Sequence, residues 1–504
     1  MASPRIALLP LDDRPCNTRF PRELARAVGV ELHMPPAEVL GWFTQPGDCE
    51  AAAQWLLAQA AGRFAVSLDM LCYGGLVASR EAGTPPDLAL SRLQTLRELR
   101  ARRPGCQIAA FNVILRLGTT VTSAQALPRH EDIRRYSQLV DRVQRLGDDA
   151  ARAELEEVTA RLGPDALSTY LDIRRRNHTV NRRAVELVAE GVLDYLALVQ
   201  EDAAAVGLHI PEQVALRDQA QEQRVSGRVS LHAGADEAGM VLVARQCAVE
   251  WGYAPTIAVE YGSAPGADII PRFENRPLRE MVESQIRAAG ARTGPPGQAD
   301  AILFVHTPVG EQLDISEAPE PGQAPALALQ AEALTEGVTA AAGAGRLVGL
   351  ADTAYCNGAD PELIAALVRS GAGPRLGAFA GWNTAANTVG TVVSHLCLQA
   401  AAAAAGGAPD GRASARFIAS RLIDDYGYQS RVRQAAMQRA LAAGADPFAL
   451  GTAWPEMEAY VRQQLQPLAH GIYSDVLAAE DPPAEVRVSL PWRRLFEVDV
   501  EVGS

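Results

Sequence analysis

The chain has 504 residues, of which 48% are hydrophobic and 21% are charged, and this is the composition of a folded globular protein. Its formal net charge of −13 argues against nucleic acid and anionic membrane as partners, because most of the surface would repel them. No apolar run is long enough to span a bilayer. A small carbohydrate substrate is compatible with this acidic total, and so is an oligomer.

The cysteines and the first residues of the chain both favour a cytoplasmic protein. The seven cysteines form no CxxC pair and have no regular spacing, which predicts reduced thiols rather than a disulfide framework or a zinc site. Residues 1–4 lead directly into a strand-like segment, without the basic and apolar regions of a signal peptide. We therefore expect a cytoplasmic location.

Nine short apolar segments, each followed by a polar turn and a helical stretch, are predicted strands. They are residues 6–10, 64–68, 107–115, 195–199, 228–231, 256–259, 301–305, 347–350 and 377–380. Nearly continuous Val, Ile, Leu and Ala are typical of parallel strands with helices on both faces, so the pattern indicates an α/β fold. We favour a TIM-barrel-like (β/α)8 catalytic domain with one extra strand. Two doubly wound α/β domains are the alternative.

Two further segments divide the chain. Residues 124–190 form a charged insertion, in which Arg and Glu at helical spacing predict solvent-facing helices. We expect its arginine runs, 174–176 and 182–183, to lie on a solvated helix face, and anion binding is the alternative. Residues 400–414, which contain Gly-Gly and a proline, are the clearest linker. We expect a barrel-type domain over residues 1–405 and a smaller, mainly helical C-terminal domain over 406–504 that ends in two strands.

Polar and aromatic side chains follow most of the predicted strands. Because the carboxyl ends of parallel strands share one rim, where the active sites of α/β proteins lie, these residues define one candidate cleft. The candidate substrate-binding residues are Asp12, Asp13, Arg14, Asp69, Tyr73, Glu201, Asp202, His232, Glu260, Asp352, Asn357, Trp382 and Asn383. Polar turns and Asp helix caps account for one or two such positions without function, but account less well for six strand ends that carry carboxylates.

The chemistry of these side chains suggests sugar binding. Asp13 and Arg14 offer paired acceptors and donors to vicinal hydroxyls. Trp382 is a candidate platform for a pyranose ring, with Asn383 beside it, although core packing explains this tryptophan equally well.

We predict neither a metal nor another cofactor. No spaced set of metal ligands is visible, and the dinucleotide, P-loop and GxSxG motifs do not occur in the sequence. The acidic rim nevertheless keeps open a metal-dependent hydrolase or lyase that acts on a small polar substrate.

Residues 232–237, His-Ala-Gly-Ala-Asp-Glu, resemble the His-x-Gly-Ala/Gly-Asp-Glu signature of β-N-acetylhexosaminidases. The resemblance implies a retaining exo-glycosidase, with β-N-acetylgalactosaminides among its candidate substrates, in which the acetamido oxygen of the substrate replaces a protein nucleophile. It implies that Asp236 orients the acetamido group and that Glu237 is the general acid and base. A helix N-terminus, with Asp236 as cap and Glu237 in the first turn, explains the same pair without catalysis. A non-catalytic sugar-binding protein is a further alternative.

Over its whole length the chain also resembles a bacterial family of about this size that is known only as a domain of unknown function. Residues 9–15 (Leu-Pro-Leu-Asp-Asp-Arg-Pro), 234–237 (Gly-Ala-Asp-Glu) and 381–384 (Gly-Trp-Asn-Thr) carry this likeness. It implies that the three segments belong to one architecture, and it implies no activity.

Overall fold

The computed structural model of the chain describes residues 4–479 and 486–502, which fall in two compact units. Unit 1 comprises the described residues up to Arg19, Val30–Gln246 and Phe273–Asn275, and unit 2 comprises Phe20–Gly29, Cys247–Arg272 and the described residues from Arg276 onward. The predicted boundary at residue 405 does not separate these units, because the described residues on both sides of it belong to unit 2.

The strands are β1 (Arg5–Leu9), β2 (Glu31–His33), β3 (Arg63–Ser67), β4 (Gln107–Ile114), β5 (Tyr195–Gln200), β6 (Val229–Ala233), β7 (Thr256–Tyr261), β8 (Arg292–Thr293), β9 (Ala301–His306), β10 (Leu347–Asp352), β11 (Ala378–Ala380), β12 (Val486–Ser489) and β13 (Asp499–Val502).

The helices are α1 (Arg19–Ala27), α2 (Cys49–Ala58), α3 (Leu68–Tyr73), α4 (Leu76–Ser79), α5 (Pro86–Arg92), α6 (Gln94–Arg102), α7 (Leu127–Gln144), α8 (Arg152–Ala189), α9 (His209–Glu222), α10 (Ala238–Trp251), α11 (Ala264–Ala267), α12 (Leu278–Ala288), α13 (Gln323–Gly343), α14 (Pro361–Ser370), α15 (Ala385–Ala404), α16 (Gly411–Arg421), α17 (Arg433–Ala442) and α18 (Trp454–Gly471). Two π-helical segments, Leu422–Val432 and Ile472–Val476, continue α16 and α18. Within the described part of the chain, no helix combines the length and the apolar character needed to cross a membrane.

Unit 1 is built on a six-stranded sheet with the order β2-β1-β3-β4-β5-β6. All of its neighbouring strands are parallel. Buried apolar residues of β1, β3, β4 and β5 pack with those of α2, α6 and α8 in one core. The chain adds β2 on one side of β1 and β3 on the other, so the direction of winding reverses between β1 and β3. In open α/β sheets the crevice at the carboxyl ends of such a strand pair is the usual ligand site.

Unit 2 contains a five-stranded parallel sheet with the order β11-β10-β9-β7-β8, and an antiparallel pair formed by β12 and β13. Its core joins β9, β10 and β11 to α13, α14, α18 and the terminal strand pair. Winding reverses here between β7 and β9, as it does between β1 and β3 in unit 1.

All nine predicted internal strands and the pair of C-terminal strands are present, and the mixed α/β class is confirmed. The eight-stranded barrel is not confirmed, because the described strands form separate sheets of six and five, which fit the doubly wound alternative. The strands β2 and β8 were missed because they have only three and two residues and lie at partly exposed edges. Each sits outside the first strand of its unit, and this position makes the winding reverse.

The charged insertion forms α7 and α8, as predicted, but two of its arginines do not face solvent. Arg174 and Arg176 are buried. The Nε of Arg174 lies 2.7 Å from Oε1 of Glu212, and Arg176 donates a hydrogen bond of 2.5 Å to the carbonyl of Ser79. The interpretation of this run as a solvated helix face is therefore wrong for Arg174 and Arg176, which connect α8 to neighbouring segments of unit 1.

Candidate functional site

Charged side chains of unit 1 gather at the carboxyl ends of β1, β3, β4, β5 and β6. We call them the unit 1 cluster, which comprises Asp12, Arg14, Asp69, Arg80, Arg116, Glu201, Asp202, Asp236 and Glu237. Six of the nine were predicted substrate-binding or catalytic residues that belong to four different loops, and the structure brings these loops to one edge of the sheet. A seventh, Glu237, follows Asp236 directly in the chain.

The guanidinium of Arg14 joins the loop after β1 to the loop after β6. It donates to Asp236 through Nη2 to Oδ1 at 2.6 Å and Nη1 to Oδ2 at 3.1 Å, and to Asp12 through Nη2 to Oδ2 at 2.7 Å. Asn17 donates a further hydrogen bond of 2.8 Å to Oδ1 of Asp12. Arg14, Asp12 and Asp236 are each at most 5% exposed, so one arginine holds two carboxylates in a buried arrangement.

Glu237 lies under the turn that contains the predicted motif. Its side chain is fully buried, and Oε2 accepts a hydrogen bond of 3.0 Å from the backbone N–H of Ala235. Gly234 has a φ of 123°, and a Cβ at this position would lie only 1.7 Å from Oε1 of Glu237. Only glycine therefore allows the Glu237 side chain to fold back beneath this turn.

Glu201 and Asp202, which follow β5, pair with two arginines that the sequence analysis did not select. Arg80 donates to Oε1 of Glu201 and, at 3.1 Å, to the hydroxyl of Thr120. Arg116 lies 3.8 Å from the same Glu201 oxygen and forms an ion pair with Asp202. Burial, together with the charge of Arg80, lowers the pKa of Arg116 to about 10.

Asp69 is buried in the first turn of α3, directly after β3. Its Oδ2 accepts a hydrogen bond of 2.9 Å from the backbone N–H of Val113 in β4. Burial, and then the charge of Glu201, raise the pKa of this carboxyl to about 7, against the opposing effects of the Val113 N–H and the charge of Arg80. Asp69 therefore changes its protonation state near neutral pH.

Asp236 belongs to the same electrostatic system. Burial raises its pKa, the ion pair with Arg14 opposes that shift, and the charges of Asp12 and Glu201 add to it. Glu201 thus acts on Asp69 and on Asp236 alike, which places the loops after β3, β5 and β6 within range of one another. An arrangement of this kind, with carboxyl groups whose protonation is shifted by burial and by their neighbours, is typical of acid–base sites.

Three further predicted residues of unit 1 are placed near the cluster in sequence but have local partners. Asp13 is half-buried, and its carbonyl accepts a hydrogen bond from the hydroxyl of Thr18. Tyr73 is buried with the guanidinium of Arg176 at 4.5 Å from its ring centroid. His232 is buried and donates from Nδ1 to the carbonyl of Ala233 at 3.0 Å.

The other five predicted residues belong to unit 2. Glu260 is exposed at the end of β7. Asn357 and Asn383 both have positive φ values, 60° and 52°, and the N–H of Asn357 donates to the carbonyl of Asn383 at 2.8 Å. The indole N–H of Trp382 donates to Thr391 at 3.2 Å, while the ring meets Phe20 edge to face, with centroids 5.9 Å apart. These contacts fix the loops after β10 and β11.

Asp352, the remaining predicted residue of unit 2, lies in a group of buried polar side chains. Its Oδ2 accepts from the N–H of Asp360 at 2.6 Å, and its Oδ1 accepts from the N–H of Ala354 at 3.2 Å. Oδ2 of Asp360 lies 2.9 Å from Nε2 of His306, whose Nδ1 lies 2.8 Å from Oε1 of Gln330. We call His306, Gln330, Asp352 and Asp360 the His306 network. Burial and the neighbouring Asp360 raise the pKa of Asp352 to about 6, although the charge of His306 opposes the shift.

Sequence reasoning missed four of these charged residues for two reasons. Arg116 and His306 directly follow the predicted strands 107–115 and 301–305, so the strand-end rule that selected the others would also have found them. Arg80 and Asp360 lie several residues beyond a strand, after α4 and before α14, and no local pattern marks them.

The acidic character of the unit 1 cluster does not amount to a metal-binding geometry. Over residues 4–479 and 486–502, no three His, Cys, Asp or Glu side chains converge as the ligands of one ion would. The arginines of the cluster occupy the positions between its carboxylates.

A family model described as "Protein of unknown function (DUF4127)" matches residues 6–501. The chain belongs to this family. The match covers the segments 9–15, 234–237 and 381–384, so the predicted resemblance to a domain-of-unknown-function family is confirmed over nearly the whole chain. No curated protein matches the sequence. The family description contains no activity, and what the protein does must be argued from the chemistry of its own residues.

Proposed function

We propose that this protein is a glycoside hydrolase of the β-N-acetylhexosaminidase type and that the unit 1 cluster is its active site. The observation that carries the proposal is the different environment of two adjacent buried carboxylates. Asp236 is held by both terminal nitrogens of Arg14, whereas Glu237 accepts a hydrogen bond from the backbone of its own turn. Neighbouring carboxyl groups in unlike surroundings suit the two unlike tasks of acetamido-assisted hydrolysis.

Asp236 would orient the acetamido group of the substrate. Arg14 donates to both oxygens of this carboxylate, and a carboxylate oxygen can accept more than one hydrogen bond, so Asp236 would accept the acetamido N–H while Arg14 holds it in place. The fixed guanidinium prevents the carboxylate from rotating, which keeps the acetamido carbonyl oxygen directed at the anomeric carbon.

Glu237 would transfer the protons. In the first step its carboxyl proton passes to the glycosidic oxygen while the bond from that oxygen to the anomeric carbon breaks, and the acetamido oxygen forms the new bond. In the second step water adds to the anomeric carbon and gives a proton to Glu237, and the acetamido oxygen leaves. The product keeps the β configuration, because the anomeric carbon is inverted twice.

The test is an assay of the purified protein with 4-nitrophenyl β-N-acetylgalactosaminide, β-N-acetylglucosaminide and the plain β-galactoside. We expect hydrolysis of the N-acetylated substrates alone. Glu237→Gln and Asp236→Asn should each lower kcat by about 10²- to 10⁴-fold, the contribution typical of a proton-transferring or orienting group. Glu222→Gln and Asp218→Asn are matched controls, because both residues are exposed on α9 of the same unit.

Two outcomes would contradict the proposal. Hydrolysis of the plain galactoside at the same rate would exclude participation of the acetamido group. Loss of activity with a chelator, followed by its recovery with a divalent ion, would favour the metal-dependent alternative.

A further inference from the structure

Four buried polar atoms of the unit 1 cluster have no hydrogen-bond partner among the described residues. They are Oδ1 of Asp69, Oε2 of Glu201, Nε of Arg80 and Nε of Arg116. Asp69 is 1% exposed and Arg80 is 8% exposed, so neither side chain is solvated in the usual way. A buried polar group without a partner is costly, and native proteins rarely keep several together without a use for them.

Glu201 links the residues that carry these four atoms. Oε1 of Glu201 accepts from Arg80 and lies 3.8 Å from Arg116, so the second oxygen of Glu201 belongs to the same small region as the two Nε atoms. The charges of Glu201 and Arg80 both act on Asp69, which follows β3.

The region lies at the position where this sheet is expected to hold a ligand. Asp69 follows β3 and Asp12 follows β1, so the two flank the point at which the winding reverses. Gly75, with a φ of 125°, brings the loop after α3 close to the end of β1, because a Cβ at Gly75 would lie 3.3 Å from the Leu11 carbonyl oxygen.

We propose that Asp69, Glu201, Arg80 and Arg116 form a subsite that binds two neighbouring hydroxyl groups of a neutral sugar ring. This inference rests on the proposed function, since it supplies the sugar contacts beside Asp236 and Glu237. Two adjacent hydroxyls offer the donors that the two carboxyl groups need and the acceptors that the two Nε atoms need. An anionic substrate would meet Asp69 and Glu201, and a cationic one would meet both arginines, so an uncharged polyol fits best.

The protonation of Asp69 supports a hydroxyl in particular. Burial first, and then the charge of Glu201, raise the pKa of Asp69 to about 7, while the N–H of Val113 and the charge of Arg80 lower it. Cys72, Tyr73 and Arg176 are the other titratable groups that interact with this carboxyl. A hydroxyl accepts from the protonated acid and donates to the carboxylate, so it keeps its hydrogen bond to Asp69 in both states.

A cycle of protein variants and deoxy sugars tests the subsite by isothermal titration calorimetry. The ligands are N-acetylgalactosamine and its 3-deoxy, 4-deoxy and 6-deoxy analogues, and the variants are Asp69→Leu and Glu201→Gln. We expect Asp69→Leu to lower the affinity for N-acetylgalactosamine by about 10- to 100-fold. One of the deoxy analogues lacks the hydroxyl that Asp69 is proposed to bind. The same variant should change the affinity for that analogue by less than about threefold, because this analogue makes no hydrogen bond to Asp69 that could be lost.

Asp218→Leu, on the exposed face of α9, is the matched control and should leave every affinity unchanged. If thermal unfolding shows that Asp69→Leu does not fold, the same measurements are made with Glu201→Gln. Glu201 is only partly buried, and glutamine has the same shape as glutamate. Equal weakening of the parent sugar and of all three analogues would overturn the subsite.

The outcomes also separate this inference from the proposed function. If the protein hydrolyses the aryl glycosides but no variant effect depends on a particular hydroxyl, the proposed function stands and the subsite is wrong. If a variant effect depends on one hydroxyl but no hydrolysis is seen, the subsite stands and the glycosidase proposal is wrong. If the wild-type protein neither binds nor hydrolyses these sugars, both proposals are wrong.

Discussion

At the carboxyl ends of its strands, the sheet of unit 1 carries three arginines among six carboxylates, whereas the sheet of unit 2 carries the His306 network, in which one histidine lies beside two aspartates. Both sets are buried, and both follow strands of parallel sheets with the same kind of winding reversal. The two sets differ in whether their buried polar atoms have hydrogen-bond partners.

In the His306 network each carboxylate oxygen of Asp352 and Asp360 accepts a hydrogen bond or faces His306, and Gln330 accepts from the histidine and from the N–H of Thr307. In the unit 1 cluster, by contrast, polar atoms of Asp69 and three neighbours lack partners among the described residues. A fully satisfied buried network rigidifies the fold. We therefore propose a structural role for the His306 network, and the unpaired polar atoms of the unit 1 cluster support the proposed binding site there.

The largest expected effect concerns Arg14. Arg14→Met removes the common partner of Asp12 and Asp236 and leaves two buried carboxylates facing each other. Loss of one partner of a buried ion pair costs about 3–5 kcal/mol, so we expect the free energy of unfolding in urea at pH 7 to fall by at least that amount.

The matched control for this variant is Arg5→Met. Arg5 pairs with Glu31 on the exposed edge of the same sheet, where an ion pair contributes about 0–1 kcal/mol. If both variants lower the free energy of unfolding by similar amounts, Arg14 has no special role in holding the unit 1 cluster together. The contrast drawn between the two units would then lack its main support.

How much of this could be read from the sequence differs between fold and site. The strands were predictable because continuous apolar runs identify buried parallel strands, and β1, β3 and β4 each consist largely of such residues. The number of sheets was not, since β2 and β8 are too short and too exposed to leave an apolar signal, and yet they determine the winding.

The site was predictable only where a charged residue stands next to a strand. Asp12, Asp69 and Asp236 were selected in this way, and the structure brings them into one cluster. The pairing of charges was less predictable. Arg116 directly follows a predicted strand, but its ion pair with Asp202, like that of Arg80 with Glu201, depends on contacts between loops that are far apart in sequence.

The second prediction concerns His306 and the assignment of a structural role. Thr307 N–H donates to Oε1 of Gln330, which identifies that atom as the amide oxygen, so Nδ1 of His306 must carry a hydrogen. Nε2 lies 2.9 Å from Oδ2 of Asp360, and the other oxygen of Asp360 caps α14 by accepting from the N–H of Glu362. The raised pKa of His306 favours its imidazolium form beside the two aspartates, and His306→Gln should cost roughly 3 kcal/mol of unfolding free energy.

The same variant has a defined pH dependence. Burial lowers the pKa of His306, but the hydrogen bond to Asp360 and the charge of Asp352 outweigh it, so the pKa is raised. The stabilisation is thus complete below the unfolded value near 6.5 and is lost as pH rises through the folded value. We expect the difference between wild type and His306→Gln to be larger at pH 6 than at pH 9, with kcat for the aryl glycosides unchanged.

His470→Gln is the control for His306, since His470 is exposed on α18 of the same unit and should show no such difference. A fall in kcat of tenfold or more in His306→Gln, without loss of stability, would mean that the His306 network takes part in the reaction.

Asp69→Asn should act in the opposite direction and stabilise the protein. The pKa of Asp69 rises from 3.8 to about 7 in the folded protein, so between these pH values the folded state binds more protons than the unfolded state. The folded protein therefore loses stability as the pH increases from about 4 to about 7. Asparagine has no such loss. We expect a gain of roughly 2–3 kcal/mol at pH 8 and a much smaller gain at pH 5, measured by urea unfolding. Asp218→Asn is the exposed control, and an equal gain at both pH values would contradict the shifted ionisation.

The smallest effect is expected at Trp382, and it tests the division of roles most directly. Trp382→Phe keeps an aromatic ring against Phe20 but removes the indole hydrogen bond to Thr391, whose hydroxyl still donates to the carbonyl of Asn387. One such bond contributes about 1 kcal/mol, and the loss in unfolding free energy should be of that size. Trp251→Phe is the control, since Trp251 is half-buried in unit 2 and makes no indole hydrogen bond within the described residues. If Trp382→Phe leaves stability intact but raises KM for the aryl glycosides, the ring binds sugar, and unit 2 shares in a function that we assign to unit 1.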